Sequence, residues 1–403
     1  MKILMCTLGY LPAVAWGGPV RVVDENAREL QRRGHQVSIC ASNRQNKSTY
    51  LFPSTRTENV RGLRVSYLHT YMVKNWRGTA GPTLLSIRAM RVLWNEIKTA
   101  DVVHANGTRN AIVMTAYVFS RLQKKPFILQ PHGTLPAIIS SVRLKKIFDG
   151  LFMRIILRNS SALLALQEAE REQILNAGGD PERIWIVPNG ISTDNCPNEH
   201  ELPGRFRDKY QIPEDQFMIL FVGRINPKKG VDLLVEAFAQ FPDELKSKTR
   251  LVIAGPDDGQ LSDVQLLVER HGLGERVIFT DVLSADEVRN ALVDADLFVL
   301  PARRDTFPMA IVEACTFGVP MVVTDTCEIA SQLSGKAASV VAVDSGEISK
   351  AMQKLISDAE LRENYRLGGY ELTKTVFSIR GVGDMLEKIY TRVLGGTMAH
   401  QDA

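Results

Sequence analysis

The sequence predicts an α/β protein made of two doubly wound, Rossmann-like domains. Short apolar runs alternate with longer amphipathic segments along the whole chain, which is the pattern of parallel strands joined by crossover helices. The alternation breaks once, at Val187-Pro-Asn-Gly190, where a polar stretch with prolines at 197, 203 and 213 begins. A chain of 403 residues is also too long for one core and natural for two. The expected domains are 1–190 and 191–379.

In the first series the strand candidates are Ile3–Met5, Val37–Cys40, Arg64–Leu68, Val102–His104, Phe127–Gln130, Ala162–Leu166 and Ile184–Val187. Each is a short, largely apolar run, the signature of a strand covered on both faces. Between them, helical spacing predicts Pro19–Arg33, Thr83–Lys98, Arg109–Arg121, Val142–Arg158 and Glu168–Ala177. The second series predicts strands at Met218–Val222, Leu251–Ala254, Val277–Thr280, Leu297–Leu300, Met321–Val323 and Val340–Ala342. Helices are expected at Met309–Phe317, Leu361–Val376 and Val382–Leu394, with Gly318 as a stop signal.

Composition is that of a globular protein, 45% hydrophobic. No apolar stretch approaches the roughly 18 residues of a membrane span. The start, Met1-Lys-Ile-Leu-Met-Cys6, reads as a buried strand and not as a signal peptide. Five cysteines without metal-like spacing point to reduced thiols. The expected location is the cytoplasm, at the inner face of the membrane. Residues 1–190 carry 26 Lys and Arg against 12 Asp and Glu, and residues 191–403 carry 23 against 33. The basic half calls for an anionic neighbour such as a lipid surface. Nucleic acid is set aside, because no aromatic-lined basic groove or known module accompanies the charge.

In open α/β sheets ligands sit beyond the carboxyl ends of strands, and the candidate motifs follow strand ends. Trp16-Gly17-Gly18-Pro19 puts two glycines and a helix-starting proline after the first strand. Gly17 and Gly18 let a ligand approach the backbone and leave helix amides open to an anion. Gly223-Arg224, with Lys229 before the next helix, supplies a planar fork and a point charge suited to a diphosphate. Asp305-Thr306-Phe307-Pro308-Met309 follows a further strand, with Glu313 eight residues after Asp305. A carboxylate on the loop and another on the helix, with free amides between, suit a polyhydroxylated ligand. His132, in Pro131-His132-Gly133, is placed to reach a sugar hydroxyl or acceptor, and His104 is a weaker candidate. Asp257-Asp258 and Asp294/Asp296 match hard-cation ligands only superficially, so no required metal or cofactor is expected. The Walker loop and the Gly-x-Gly-x-x-Gly fingerprint are absent.

Taken together, Gly-Arg-x-x-x-x-Lys-Gly, Ile253-Ala-Gly255, and acid-x-Phe-Pro with Glu313 eight residues after the acid resemble glycosyltransferase family 4. Trp16-Gly-Gly-Pro19, Pro131-His-Gly133 and Pro188-Asn-Gly190 fit the same family in order. The resemblance implies the GT-B fold, two Rossmann-like domains facing across a cleft, with a last helix at about 380–403 returning onto the domain 1–190. It implies a retaining enzyme that moves a sugar from a nucleotide-diphosphate sugar to a glycan or lipid-linked acceptor, in polysaccharide, lipopolysaccharide or glycolipid assembly. By the same resemblance Arg224 and Lys229 contact the donor diphosphate. Asp305 contacts the transferred sugar, helped by amides of the Phe307–Ala310 loop, and Glu313 holds the ribose hydroxyls. Three departures stand out: Asp305 replaces the usual Glu, Asp281 stands where Gly is usual, and Gln167 where Ser is usual. Alternative readings are a nucleotide-sugar epimerase, which would turn over donor without acceptor, and a non-catalytic sugar-nucleotide-binding subunit. The basic segment Val142–Arg158, with Arg143, Lys145, Lys146, Arg154 and Arg158, reads either as a core helix or as one lying on anionic lipid, together with Arg88, Arg91 and Lys98.

Overall fold

Runs such as Phe217-Met-Ile-Leu-Phe-Val222 have no polar side to turn outward, so they become central strands covered on both faces. The structure, a computed structural model, describes residues 1–13, 16–46, 49–74, 80–135, 152–192 and 203–398. It divides into two units, one of Met1–Gly190 with the segment from Ile379 onward, the other of Ile191–Ser378.

The first unit contains β1 (Lys2–Cys6), β2 (Gln36–Ser42), β3 (Arg56–Val60), β4 (Leu63–Leu68), β5 (Thr70–Lys74), β6 (Ala80–Leu85), β7 (Val102–Asn106), β8 (Phe127–Gln130), β9 (Ala162–Ala165) and β10 (Ile184–Ile186). Eight of them form one sheet in the order β10-β9-β8-β7-β1-β2-β4-β3, and β5 pairs separately with β6. Within the large sheet β3 runs antiparallel to β4, while neighbouring pairs such as β1 with β2 and β1 with β7 are parallel. One face is covered by Gly18–Arg32 and by the long last helix Ile379–Met398, which brings Val382, Leu386, Ile389 and Tyr390 into the core. Arg33 ties these two helices together: its Nη1 donates to Asp384 and Glu387 at 2.7 Å each, and its Nε to Glu29 at 2.8 Å. The opposite face is covered by Ile87–Thr99, Ala111–Leu122 and Arg154–Asn159.

The second unit contains β11 (Phe217–Val222), β12 (Thr249–Ala254), β13 (Val277–Phe279), β14 (Leu297–Leu300), β15 (Met321–Thr324) and β16 (Ala338–Val341). Its order is β13-β12-β11-β14-β15-β16, with neighbouring strands parallel. The strand order reverses between β11 and β14, the switch point at which such sheets open a crevice.

Several elements differ from the sequence expectation. The helix expected from Thr83 begins at Ile87, because the Ser86 side chain caps it by accepting from the Ala89 amide at 3.1 Å. Thr83 belongs instead to β6, paired with β5. The strand β3 was not expected: it is an edge strand of polar, mostly exposed residues and carries no apolar run. The last strand starts at Ala338, two residues before its expected start. The helix expected over Val142–Arg158 falls largely outside the described residues, Arg143, Lys145 and Lys146 included. Its end, Arg154–Asn159, is helical.

The loops after β11 and β12 are stitched together by the Ile225 amide donating to the Pro256 carbonyl and the Asp258 amide to the Ile225 carbonyl, both at 2.9 Å. Gly255 makes this approach possible: its φ is +143°, and a Cβ there would lie 1.9 Å from the Gly223 carbonyl oxygen. Gly255→Ala should therefore destabilise the second unit by about 1–3 kcal/mol. Thermal unfolding should show this as a fall of several degrees in its transition, at about 2–4 °C per kcal/mol for a unit of this size.

Candidate functional site

The β11 loop is built to aim two cations. A short 3-10 turn, Pro227–Lys229, is capped by Asn226, whose Oδ1 accepts from the amides of Lys228 and Lys229 at 3.1 and 3.2 Å. Gly230 follows in the left-handed region, φ +68°, and opens the helix Val231–Ala239. A Cβ at Gly230 would stand 2.0 Å from the Pro301 carbonyl oxygen, so this loop lies directly against the one after β14. Arg303 fastens the two. Its guanidinium grips both oxygens of Asp232, at 2.8 and 2.6 Å, and the Pro227 carbonyl at 2.9 Å, while its amide donates to the Lys228 carbonyl at 2.7 Å. Both carboxylate oxygens of Asp232 thus take up the Arg303 fork.

With the loops so joined, Lys229 Nζ donates to Asp305 Oδ2. Both side chains are mostly enclosed, at 19% and 18% exposed. Arg224 lies on the same loop, is 48% exposed, and donates through Nη1 to Asp258 Oδ2 at 3.0 Å. Arg224, Lys229, Gly223 and Asp305 are thus assembled at the carboxyl ends of β11 and β14. Asp305 leads through Thr306 into the helix Met309–Thr316, where Pro308 provides no capping side chain. The side chains of Phe307 and Met309 are buried, and Phe307 packs edge-on against Phe377 at 5.9 Å. These two residues can therefore serve a ligand through backbone groups only. Glu313 lies within this helix and is buried at 7% exposure.

The first unit holds the remaining candidates. Gly17, at φ +79°, and Gly18 open the helix Gly18–Arg32 without a side-chain cap, and the Trp16 indole fixes the turn by donating to the Arg44 carbonyl at 3.1 Å. His132 sits in the left-handed region, φ +53°, after β8. Its Nε2 meets Asn106 Oδ1 at 2.9 Å, and its Nδ1 is buried without a partner in the structure. Nε2 is thus committed to Asn106, while the residue as a whole stays partly exposed. His104 is fully buried and its Nδ1 meets the Tyr390 hydroxyl at 2.8 Å, which makes it a core residue. Glu170, unremarked in the sequence, is fully buried and accepts from the amides of Gly133 and Leu166, holding the Pro131-His132-Gly133 turn against the end of β9.

The aspartates with a superficial metal pattern have structural work. Asp257 Oδ1 accepts from the amides of Gly259, Gln260 and Leu261, capping Leu261–Arg270. Asp294 accepts from the amides of Gly204, Phe206 and Arg207, and Asp296 pairs with Arg207 at 2.8 Å. Among the described residues no group of three or more His, Cys, Asp and Glu could hold a metal. Asp281 keeps the strained left-handed conformation, φ +56°, that a glycine would adopt freely.

Burial pushes the His104 imidazole down to about 4. Burial, with His104 as a neighbour, pushes His132 down to about 3. Both folded values lie below the unfolded one, so folding favours the neutral rings. Their contribution is complete above pH 6.5 and is lost as pH falls towards about 4 for His104 and about 3 for His132, at up to about 1.4 kcal/mol per pH unit for each ring. Thermal stability of the first unit should fall over that range, and His132→Gln should flatten the dependence measured by pH-resolved calorimetry.

Comparison with known proteins agrees with this architecture. A glycosyl transferase 4-like domain model matches residues 17–190, and a glycosyl transferases group 1 model matches residues 204–372. An alpha-D-kanosaminyltransferase of Streptomyces kanamyceticus is 26% identical over 78% of this chain and 82% of its own length. The lipopolysaccharide glucosyltransferase WaaG of Escherichia coli is 29% identical, over 50% of this chain and 54% of its own. The crystal structure of Anabaena HepE in complex with UDP and glucose superposes with a TM-score of 0.77 at 16% identity, covering 97% of this chain and all (100%) of that one.

Proposed function

We propose, from the premise that the chain belongs to the GT-B glycosyltransferases, that it transfers a sugar with retention of anomeric configuration. The donor is a nucleotide-diphosphate sugar, and the acceptor is a hydroxyl on a glycan or lipid-linked carrier in polysaccharide, lipopolysaccharide or glycolipid assembly. The observation that carries this reading is the placement of Arg224 and Lys229 on one capped loop at the β11/β14 switch point, beside Asp305. That HepE was crystallised with UDP and glucose supports a nucleotide-sugar donor. The relatives named above are a kanosaminyltransferase and a glucosyltransferase, and neither is an epimerase.

Breaking the bond from sugar to phosphate leaves positive charge on the sugar and negative charge on the departing diphosphate. Arg224 and Lys229 are already oriented, so they stabilise that charge without reorganising when it forms. Asp305 is positioned to accept from a hydroxyl of the transferred sugar, and buried Glu313 to hold a ribose hydroxyl. The loop amides around Phe307–Met309, and those of Gly17 and Gly18 in the first unit, serve phosphate or sugar oxygens. The leaving phosphate takes the acceptor proton on the same face, so no carboxylate pair at glycosidase spacing is required. His132 supports the acceptor side by keeping the end of β8 in shape. The cations supply the charge a metal would, so transfer proceeds without one. Arg224→Ala and Lys229→Ala should each slow turnover about 10²–10³-fold, or about 3–4 kcal/mol of barrier. Steady-state assays of product from a nucleotide-sugar panel measure this, and excess EDTA should leave the wild-type rate unchanged.

The first unit also meets an anionic membrane surface. The helices Ile87–Thr99, Ala111–Leu122 and Arg154–Asn159 share one face and contain a single acid, Glu96, which pairs with Arg64. That face exposes Ile87, Leu122, Phe152 and Ile155, each more than half accessible, among Arg88, Arg91, Lys98, Arg121, Arg154 and Arg158. Apolar side chains set among cations that no acid pairs with among the described residues suit the boundary of an anionic bilayer. No helix among the described residues is long and apolar enough to cross a membrane. The protein should co-sediment with phosphatidylglycerol vesicles and not with phosphatidylcholine ones. Arg88→Glu with Arg91→Glu should abolish that binding at low salt.

A further inference from the structure

We infer that Asp258 is a positioning residue for the diphosphate site: a single carboxylate oxygen aligns both cations. Asp258 Oδ2 accepts from Arg224 Nη1 at 3.0 Å and from Asn226 Nδ2 at 2.9 Å. The second contact fixes which way the Asn226 amide faces. With Nδ2 held by Asp258, Oδ1 points back and accepts from the amides of Lys228 and Lys229. Asp258 thus orients Arg224 directly and the turn that presents Lys229 through Asn226. Its own backbone is held by the Asp258 amide bond to the Ile225 carbonyl, so the carboxylate comes from a fixed point on the neighbouring strand loop. The two consecutive aspartates divide the work. Asp257 caps the helix that follows, and Asp258 turns back to the cation loop.

Arg224 keeps its remaining guanidinium donors for a ligand, because only Nη1 is engaged by Asp258 and nearly half of the side chain is accessible. The carboxylate lowers the entropy lost when the fork grips a diphosphate, and its charge sets the direction of approach. Its role is alignment before binding.

This inference rests on the diphosphate reading of Arg224 and Lys229, and the test separates the two. Binding of UDP, ADP and GDP is titrated calorimetrically against wild type, Arg224→Ala, Asp258→Ala, Asp258→Asn, Asp257→Ala and the double variant Arg224→Ala/Asp258→Ala. For the diphosphate that wild type binds most tightly, Asp258→Ala should weaken binding about 10-fold, in line with losses seen when residues supporting a binding group are removed. Asp258→Asn, which retains an acceptor but no charge, should lose less. In the Arg224→Ala background the same Asp258 change should cost at most about 3-fold, the share carried through Asn226. Asp257→Ala should lower the melting temperature while leaving affinity near wild type, a readout that general loosening of the loop would not give.

Unchanged affinity in Asp258→Ala overturns the inference. So does tighter binding, which would make the carboxylate a competitor for Arg224, and so does an equal loss in Asp257→Ala. If Arg224→Ala itself binds normally, the diphosphate reading fails first.

Discussion

The side-by-side placement of β11 and β14 is the constraint on which the second unit's chemistry depends. The two strands are far apart in the chain, yet Ile219 and Leu220 lie in register with Leu297 and Phe298. Because the strands are parallel, their carboxyl ends fall on the same edge, and whatever follows each must share the space above it. Lys229 and Asp305 therefore meet although 76 positions separate them. The apolar faces of β11 and β14, buried between helices, hold the pairing in place. A sheet slip would separate the charges and leave each enclosed without a partner, a cost of about 3–5 kcal/mol. Burial of apolar side chains and pairing of the charges thus enforce each other.

Charge is balanced across the adjoining loops. Lys229 stands with Asp305, Arg224 with Asp258 and Arg303 with Asp232. These pairs are not equivalent. Arg303 spends a bidentate contact and two backbone bonds on architecture, and its ion pair lifts the guanidinium further above its ordinary value while holding the Asp232 carboxyl below its own. Arg224 keeps most of its donors uncommitted. Lys229 lies between these cases: its ammonium is enclosed but can rotate, and a diphosphate oxygen beside Asp305 can share it. The shorter side chain of Asp305, in place of a glutamate, keeps this carboxylate close to its own backbone, where the Glu328 amide donates to the Asp305 carbonyl at 2.9 Å.

Much of this was legible in the sequence because the informative signals are local. Non-alternating apolar runs marked the central strands, and glycine and proline marked the turns that follow them. The cap at Asn226, an Asx residue before proline at the first helical position, emerges only from the structure, where its consequence for Lys229 depends on Asp258. What could not be read were partners set by tertiary packing. His132 follows the apolar run Phe127–Gln130 and His104 ends the run Val102–His104, yet one forms a left-handed turn held by Asn106 and the other lies within β7, under the last helix against Tyr390. Glu170 looks like an ordinary helix acid and is buried because two orphan amides converge on it. The strand β3 left no trace because an exposed edge needs no apolar face.

The uneven charge of the chain poses a last problem, since residues 191–403 carry more acids than bases and also hold the cations proposed to receive an anionic donor. Distance resolves it. Charges more than a Debye length away, about 8 Å at physiological ionic strength, are largely screened, whereas a cation in hydrogen-bond contact is not. A net negative unit can therefore hold a diphosphate if two cations are fixed at contact range, and must fix them because its average field gives no help. Preorganisation by Asn226 and Asp258 is accordingly a requirement of that charge balance. The excess of bases in residues 1–190 cannot be explained by the donor, whose cations lie on the other unit. Part of it lies on helices whose exposed face presents isoleucine, leucine and phenylalanine beside arginine and lysine. A small soluble anion needs no such apolar border, while a surface with charged headgroups over hydrocarbon requires both.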